Sequence, residues 1–306
     1  MPLVPLSRLL AGALLPLALL ATACGERSEP VGALTEPYPV TVQGTGDRPT
    51  VLEQPAERIV ALDAGSAELI GALGAADRLV GIPAGARVPG AGTAEQVVSK
   101  TGEIDLDATL GLKPDLVVAT QIADQLDVGR IGRSTGAAVY LQPAASVRNA
   151  EQGAVDLGFL VGEPAKGRQL AGKIQASVAR IQEQLASVAP VSVFIDTGFF
   201  ITVPDRSLLG DLVKRAKGES VAGPSPGPGP YPLADLRQSD PEVFLTTSDS
   251  DTTLRSLKAN PVTAGIRAVK DKRFVVLPAA LVTRAGPHVG AALVRIAHAL
   301  HPDAFD

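Results

Sequence analysis

The side chains best suited to binding chemistry are arginines and aromatic residues in segments that follow short aliphatic runs. An arginine guanidinium can pair with carboxylate or phenolate oxygens, and an aromatic ring can cover a flat ligand surface. Because Phe199 and Phe200 are adjacent, in extended backbone one is expected in the core and the other at the ligand. The candidate ligand-binding residues are Arg87, Gln121, Phe199, Phe200, Arg206, Tyr231 and Arg284.

Motifs for covalent or nucleotide chemistry are missing from the sequence. The segment DAGSAEL around Ser66 lacks the second glycine of a nucleophile elbow. The segment GALGAAD follows a predicted helix, whereas a dinucleotide-binding loop follows a strand, and no phosphate-binding loop is present. We therefore expect neither an enzyme nor a cofactor.

The three histidines offer little for direct metal binding, because all of them lie in the last stretch of the chain. His298 and His301 are one helical turn apart and are expected on an exposed helix face, and His288 is expected at a helix start. No protein-bound metal is therefore expected.

The only cysteine, Cys24, follows an apolar stretch from Leu9 to Leu20 and three small residues. With Arg8 near the N-terminus, this is the order of an export signal over residues 1–23, and the apolar run is shorter than the roughly 20 residues of a spanning helix. The segment resembles a bacterial lipobox, in which Cys24 would be lipidated and would anchor the protein outside the cytoplasm. A plain secretory signal is the alternative, and residues 24–50 are expected to be a flexible tether.

Composition and charge narrow the classes of function. The formal net charge of -4 argues against nucleic acid as a partner. The chain has no Trp, three Tyr and seven Phe, so its core must be built mainly from Ala, Val, Leu and Ile. The length beyond the predicted signal is sufficient for two domains of ordinary size.

Short aliphatic runs alternate with helical patches from Arg58 onwards. RIVALDA is a predicted strand, SAELIGALG is a predicted helix that starts at Ser66 as its N-cap and ends at Gly74, and RLVGI is the next strand. The segment LDATLGLKPDLVVAT repeats the scheme, because the residue before Pro114 leaves helical geometry. The alternation predicts βαβ units and a parallel sheet covered on both faces, which is an α/β fold.

One long helix is predicted at residues 164–189, because apolar residues recur at helical spacing from Leu170 to Leu185 without a breaker. About 25 residues with a rise of 1.5 Å each span about 37 Å, which is enough to cross from one lobe to another. This bridging helix separates an N-terminal α/β lobe at residues 51–163 from a C-terminal α/β lobe at residues 190–306.

The two lobes share a weak internal repeat, LDATLGLKPDLVVAT and LADLRQSDPEVFLTT. An acid follows both Pro114 and Pro241, three aliphatic or aromatic residues come next, and Thr120 and Thr247 end the two strands. Open α/β sheets bind ligands beyond the carboxyl ends of their strands. Two such lobes facing each other predict a ligand cleft.

Three segments carry a family resemblance when they are taken together: PAERIVALDAGSAELIGALGAADRLVGI, IDLDATLGLKPDLVVAT and AVKDKRFVVLPAALVTRAGPHVGAALVRIAHALHP. In combination they resemble the substrate-binding proteins of ABC importers that carry ferric siderophores, haem and cobalamin, the class III periplasmic-binding family. The resemblance covers about Tyr38 to the end. It implies two Rossmann-like lobes bridged by one long helix, with the ligand at their interface and modest closure.

The resemblance implies a lipid-anchored, monomeric protein that delivers a metal chelate to an ABC permease. The three arginines favour an anionic ferric siderophore, and cobalamin or haem, the latter through His288 or Tyr231, are alternatives. A ligand-binding sensor domain on the same fold is a further alternative. Glu68 stands where the family has an acid in its first helix, and we expect it to form a structural hydrogen bond.

The resemblance also implies that one carboxylate on each lobe docks into a basic pocket of the permease. By register from Pro114 the first-lobe carboxylate is Asp107, whereas the same step back from Pro241 lands on Ala234, so that the neighbouring Asp235 is the second candidate. We expect salt-sensitive docking in which Asp107 contributes more than Asp235.

Overall fold

The computed structural model describes residues 38–120, 123, 125–224, 226 and 229–305. The predicted signal peptide, Cys24 and Gln121 lie outside these residues. An antiparallel hairpin of β1 (Val40–Val42) and β2 (Thr50–Leu52) opens the described chain. It packs on the first lobe, where the Thr50 hydroxyl donates to the Val139 carbonyl at 2.7 Å. Residues at the end of the segment predicted as tether are therefore folded onto the first lobe.

The first lobe is a five-stranded parallel sheet in the order β5-β4-β3-β6-β7. Strands β3 and β6 are buried along their whole length, as expected for aliphatic runs in a sheet covered on both faces. The strands are β3 (Ile59–Ala61), β4 (Leu79–Pro83), β5 (Glu95–Val98), β6 (Leu116–Thr120) and β7 (Ala138–Gln142). The helices are α1 (Ala64–Ala72), α2 (Leu106–Gly111), α3 (Gln125–Thr135) and α4 (Val147–Leu160), with a 3-10 turn at Ala76–Arg78.

The long helix α5 spans Pro164–Gln184, within the segment where the sequence predicts it, and begins with a proline in its first turn. Helix α5 packs against α4 of the first lobe and against α11 of the second. Its contact with α4 requires glycine, because a Cβ on Gly167 would lie 2.6 Å from the Ala154 carbonyl oxygen. Helix α5 therefore joins the packing of both lobes.

The second lobe is a four-stranded parallel sheet in the order β11-β10-β8-β9, so the predicted α/β fold class is confirmed. The strands are β8 (Val191–Asp196), β9 (Gly218–Ser220), β10 (Val243–Thr247) and β11 (Phe274–Leu277). The helices are α6 (Leu208–Arg215), α7 (Leu233–Ser239), α8 (Leu254–Ala259), α9 (Arg267–Lys270), α10 (Ala279–Val282) and α11 (Val289–Leu300), with a 3-10 turn at Pro302–Ala304. Among the described residues, no helix is both long and apolar enough to cross a membrane.

The internal repeat places an acidic residue at the amino end of one strand in each lobe, where it binds the backbone of the neighbouring strand. The Asp115 carboxylate accepts a hydrogen bond from the Arg58 N–H at 3.0 Å, beside the start of β3. The Glu242 carboxylate accepts one from the Ser192 N–H at 2.9 Å, at the start of β8. In each lobe the acid after the proline thus ties its own strand to the neighbouring parallel strand.

Candidate functional site

A polar network at the carboxyl edge of the first-lobe sheet joins half-buried Asp63 to the fully buried Ser66 and Gln142. Asp63 follows β3 and is the N-cap of α1, where its Oδ1 accepts a hydrogen bond from the Ser66 N–H at 2.9 Å. The prediction that Ser66 is the N-cap is therefore wrong. The helix begins earlier because β3 ends at Ala61 and Asp63 is the first residue able to cap the turn.

The same network reaches the second lobe through Gln142, the last residue of β7, which is fully buried. Ser66 Oγ lies 2.6 Å from Asp63 Oδ2 and 2.9 Å from Gln142 Oε1. The Gln142 Nε2 group donates to the Ala285 carbonyl at 3.0 Å, and this contact fixes which end of the amide faces Ser66.

The number of available protons determines which protonation state of Asp63 allows every hydrogen bond of this network to form. A serine hydroxyl has one proton, so Ser66 can donate to only one of its two oxygen neighbours. All contacts are satisfied when Asp63 is protonated at Oδ2 and donates to Ser66, which then donates to Gln142. Burial raises the pKa of the Asp63 carboxyl, and the hydrogen bonds from Ser66 and the Gly65 N–H act in the opposite direction without cancelling the effect of burial.

The two lobes touch at this end of the cleft. Arg284, in the loop after α10, forms an ion pair with Glu68 of α1 at 2.5 Å and also donates to the Gly85 carbonyl at 3.3 Å. Gly65 lies so close to the same loop that a Cβ on it would be 3.3 Å from the Ala285 backbone. Glu68 thus forms an ion pair with Arg284, as its expected structural role requires, and the Arg284 guanidinium joins the two lobes.

An apolar cavity of about 310 Å³ lies between loops of both lobes. The first lobe contributes two residues that follow β7, and the second contributes residues between β8 and α6, the first turn of α6 and one residue that follows α10. The lining residues are Ala144, Ala145, Thr197, Val203, Ser207, Leu208, Leu209 and Thr283. The carboxyl edges of the two parallel sheets therefore meet around one cleft, which is the geometry expected of a ligand site.

The carboxyl edge of the second lobe is organised by Asp196, the last residue of β8. Its side chain is fully buried and accepts hydrogen bonds from the Gly198 N–H at 3.2 Å and from the Ser250 hydroxyl at 3.0 Å. These two contacts connect the loop after β8 to the loop after β10. Sequence reasoning missed both Asp196 and Gln142, although each is a polar residue that ends an apolar strand.

Phe199 and Phe200 differ in burial, but the extended backbone expected for them is not present. Both residues have left-handed backbone, with φ values of 53° and 61°. Phe199 is 70% exposed, whereas Phe200 is half-buried and packs edge-on against Phe244 at a ring distance of 6.4 Å. The difference in burial results from a tight turn and not from the alternation of a strand.

The other predicted ligand-binding residues have different degrees of exposure. Arg87 and Arg206 are exposed in loops after β4 and before α6. Tyr231 is half-buried, packs on Phe194 at 5.4 Å and donates to the Val221 carbonyl at 3.3 Å. The two arginines are thus placed to meet a ligand or solvent, and Tyr231 has contacts within the core.

The histidines are dispersed, and no group of three or more metal-ligating side chains occurs within the described residues. His288 is exposed at the start of α11, and the His298 ring stacks on Phe305 at 3.9 Å. The prediction that His301 lies on an exposed helix face is wrong. His301 follows the last turn of α11, is buried, and lies 2.9 Å from the Ala216 carbonyl through Nε2, and burial lowers its pKa.

The predicted docking acids, Asp107 and Asp235, are both exposed in the first turns of their helices. Asp107 is the second residue of α2, and Ala234 is the second residue of α7, so Asp235 is displaced by one position. One residue along an α-helix corresponds to about 100° around the axis. The two carboxylates therefore leave their helices in different directions.

Comparison with known proteins adds a family and a fold. The family described as Periplasmic binding protein matches residues 59–281. An ABC transporter substrate-binding lipoprotein of Bacillus subtilis, YvrC, is 24% identical over 96% of this chain and 96% of its own. A protein of Halobacterium salinarum named cobalamin-binding protein is 25% identical over 86% of this chain and 74% of its own.

Two solved structures have the same fold at low identity. The vitamin B12-binding protein BtuF of Vibrio cholerae has a TM-score of 0.71 and 21% identity, and the match covers 82% of this chain and 99% of that one. The haem-binding protein RhuT of Roseiflexus has a TM-score of 0.72 and 21% identity, and the match covers 81% of this chain and 99% of that one. At this identity the likeness establishes the two-lobed fold alone.

Proposed function

The chain belongs to the periplasmic binding protein family, and on that premise we propose that it is the extracytoplasmic substrate-binding protein of an ABC importer. It holds a metal chelate in the cleft between its lobes and delivers the chelate to a permease without catalysis. The observation that carries the proposal is the meeting of the carboxyl edges of two parallel sheets around one cavity.

A corrinoid such as cobalamin is the first candidate for the ligand. Of the three arginines that favour an anionic chelate, Arg284 is already neutralised by Glu68. An exposed aromatic ring, Phe199, lies in a loop at the carboxyl edge of the second lobe, where it can cover a flat ligand. The likeness to a protein named for cobalamin binding supports the same choice.

An anionic ferric siderophore is the second candidate, because Arg87 and Arg206 are exposed. Their guanidinium groups could pair with the phenolate oxygens of a ferric catecholate. Replacement of either arginine by glutamine would weaken binding of such a ligand and leave binding of a neutral corrinoid almost unchanged.

Calorimetric titration tests both candidates. Purified protein is titrated with cyanocobalamin, ferric enterobactin and haemin, because a chain without Trp has no tryptophan fluorescence to quench. Tight binding of cyanocobalamin is expected. Tight binding of ferric enterobactin alone would replace the first candidate by the second, and binding of none of the three would reject import of this class of chelate.

We also propose that Cys24 is lipidated and anchors the protein to the outer face of the cell membrane. The order of residues before Cys24 and the likeness to a protein named a lipoprotein support this. Membrane fractionation should find the wild-type protein with the membrane and the Cys24→Ser variant in the soluble fraction. A wild-type protein that is already entirely soluble would reject the anchor.

A further inference from the structure

Residues Gly198 to Ile201 form a tight turn with an unusual composition. The Ile201 N–H donates to the Gly198 carbonyl at 2.9 Å, and both central residues, Phe199 and Phe200, are left-handed with φ values of 53° and 61°. Turns with positive φ at both central positions strongly favour Asn and Gly, because a Cβ is crowded there. Two phenylalanines are therefore held in a conformation that their type disfavours.

The surroundings of the turn impose this conformation. The N–H and the hydroxyl of Thr197 both donate to the Ile201 carbonyl, at 2.8 and 3.0 Å. The Phe200 carbonyl accepts from the Tyr231 N–H at 2.8 Å, and the buried Asp196 carboxylate accepts from the Gly198 N–H at 3.2 Å. A strained backbone persists where neighbouring contacts over-determine it, and such sites cluster at functional positions.

The two phenylalanines differ in what they gain from the turn. Phe200 is half-buried and packs against Phe244, which offsets its backbone strain. Phe199 is 70% exposed, so little of its ring is removed from water. Burial does not explain why a phenylalanine occupies position 199.

A small pocket of about 210 Å³ lies beside Phe199, between the turn and the segment after β10. Its size suits a side arm of a ligand and not a whole macrocycle. Asp251 places a carboxylate at this pocket, which can accept hydrogen bonds from an amide N–H and repels another carboxylate. The lining residues are Phe199, Phe200, Asp251, Thr252, Ser256, Leu257 and Asn260.

We propose that the strained turn presents Phe199 as a platform for the flat apolar face of a macrocyclic chelate, and that the pocket beside it takes a neutral amide side arm. This inference rests on the proposed function and adds to its first candidate, a corrinoid, the residues that would contact the macrocycle and one of its amide side arms. Its distinctive consequence is that a substitution at residue 199 that relieves the backbone strain should raise the stability of the protein and lower its affinity for the ligand.

Three asparagine variants separate strain, packing and ligand contact. Phe199→Asn relieves the strain and removes the ring, so we expect Tm to rise by about 1–4 °C and cyanocobalamin affinity to fall about tenfold. Phe200→Asn loses core packing, so we expect Tm to fall. Lys272→Asn is the matched control, because Lys272 is exposed, has φ of 58° and precedes β11 at the opposite edge of the sheet. It should raise Tm and leave affinity unchanged.

A second comparison tests the pocket. Cyanocobalamin in which one amide is converted to a carboxylate should bind the wild-type protein several-fold more weakly than cyanocobalamin, and Asp251→Asn should remove most of that difference. Equal binding of the two ligands to the wild-type protein would overturn the pocket assignment.

The remaining outcomes distinguish this inference from the function on which it rests. Unchanged cyanocobalamin affinity or a lower Tm for Phe199→Asn would overturn the inference alone. Binding of ferric enterobactin alone would also overturn it while keeping the proposed import of a metal chelate. A wild-type protein that binds none of cyanocobalamin, haemin and ferric enterobactin would overturn both.

Discussion

The two lobes are built alike at the amino edges of their sheets and differently at their carboxyl edges. At the amino edges, Lys113 and Asp240 precede prolines and are both left-handed, with φ values of 47° and 44°. The acids that follow these prolines, Asp115 and Glu242, bind backbone N–H groups of the neighbouring strand. In each lobe a left-handed residue, a proline and an acid follow one another, and the acid performs the same task.

At the carboxyl edges an aspartate stands in an Asp-x-Gly segment at the end of the first strand of each lobe, but the two aspartates hold different structures. In the first lobe Asp63 caps a helix and belongs to a polar network that is satisfied by a neutral carboxyl group. In the second lobe Asp196 accepts backbone and hydroxyl hydrogen bonds that hold a strained aromatic turn. The contacts that align the strands are thus repeated, whereas the contacts of the two carboxyl-edge aspartates differ between the lobes.

The largest expected effect concerns the repeated acids at the amino edges. Asp115→Ala and Glu242→Ala each leave backbone N–H groups without a charged acceptor, so each should lower the free energy of unfolding by about 1–3 kcal/mol. Urea denaturation measures the change, and Glu219→Ala, at an exposed acid in β9, is the control with an expected change below about 0.5 kcal/mol. A loss confined to one lobe would contradict the equivalence of the two acids.

The next effect concerns how the stabilisation by Asp63, at a carboxyl edge, and by Glu242, at an amino edge, changes with pH. Burial raises the pKa of Asp63, so the folded protein binds this proton more tightly than the unfolded chain. The resulting stabilisation is complete below the ordinary pKa of an aspartate and is lost as pH rises through the folded value. Relative to Asp63→Asn, the wild-type protein should become less stable as pH rises.

Glu242 should show the opposite sign. The hydrogen bond from the Ser192 backbone N–H lowers its pKa, so its stabilisation is present above the ordinary pKa of a glutamate and is lost as pH falls through the folded value. The wild-type protein should therefore be more stable than Glu242→Gln at neutral pH, and this difference should decrease as pH falls. Urea midpoints between about pH 3 and 8 measure both differences, and trends of the same sign would refute the contrast between the edges.

The smallest effect concerns the outer surfaces of the lobes. Asp107→Ala should slow association with the permease a few-fold at low salt, and Asp235→Ala should slow it less, because Asp235 is displaced by one position around its helix. Both effects should fade at high salt, since exposed charges are screened. Binding to permease in lipid vesicles is the measurement, and unchanged association of Asp107→Ala at low salt would reject this contact.

Sequence reasoning was accurate where a local pattern determines the structure. The parallel sheets follow from buried aliphatic runs such as β6 and β10, and helix α5 follows from apolar residues at helical spacing. The repeat around Pro114 and Pro241 was visible because both prolines force a departure from helix at the same place. These features depend on residues that are close together in the chain.

Sequence reasoning failed where the folded structure chose between two residues that the local pattern treats alike. Ser66 and Asp63 can each cap a helix, and the end of β3 determined that Asp63 does so. His301 has a helical neighbour in His298, yet the chain leaves α11 there and buries the ring against Ala216. No local pattern distinguishes these outcomes.

By itself the sequence determined the α/β class, the two-lobed plan, the long helix between the lobes and the repeated acids at the amino edges of the strands. Only the tertiary structure decided that Glu68 pairs with Arg284, that Gln142 donates a hydrogen bond to Ala285, and that the turn at Phe199 has left-handed backbone. Periodicity and turn chemistry act over a few residues, so they can be recognised in the chain. The ion pair joins residues 216 positions apart, and such partners are brought together only when both lobes have folded around the cleft.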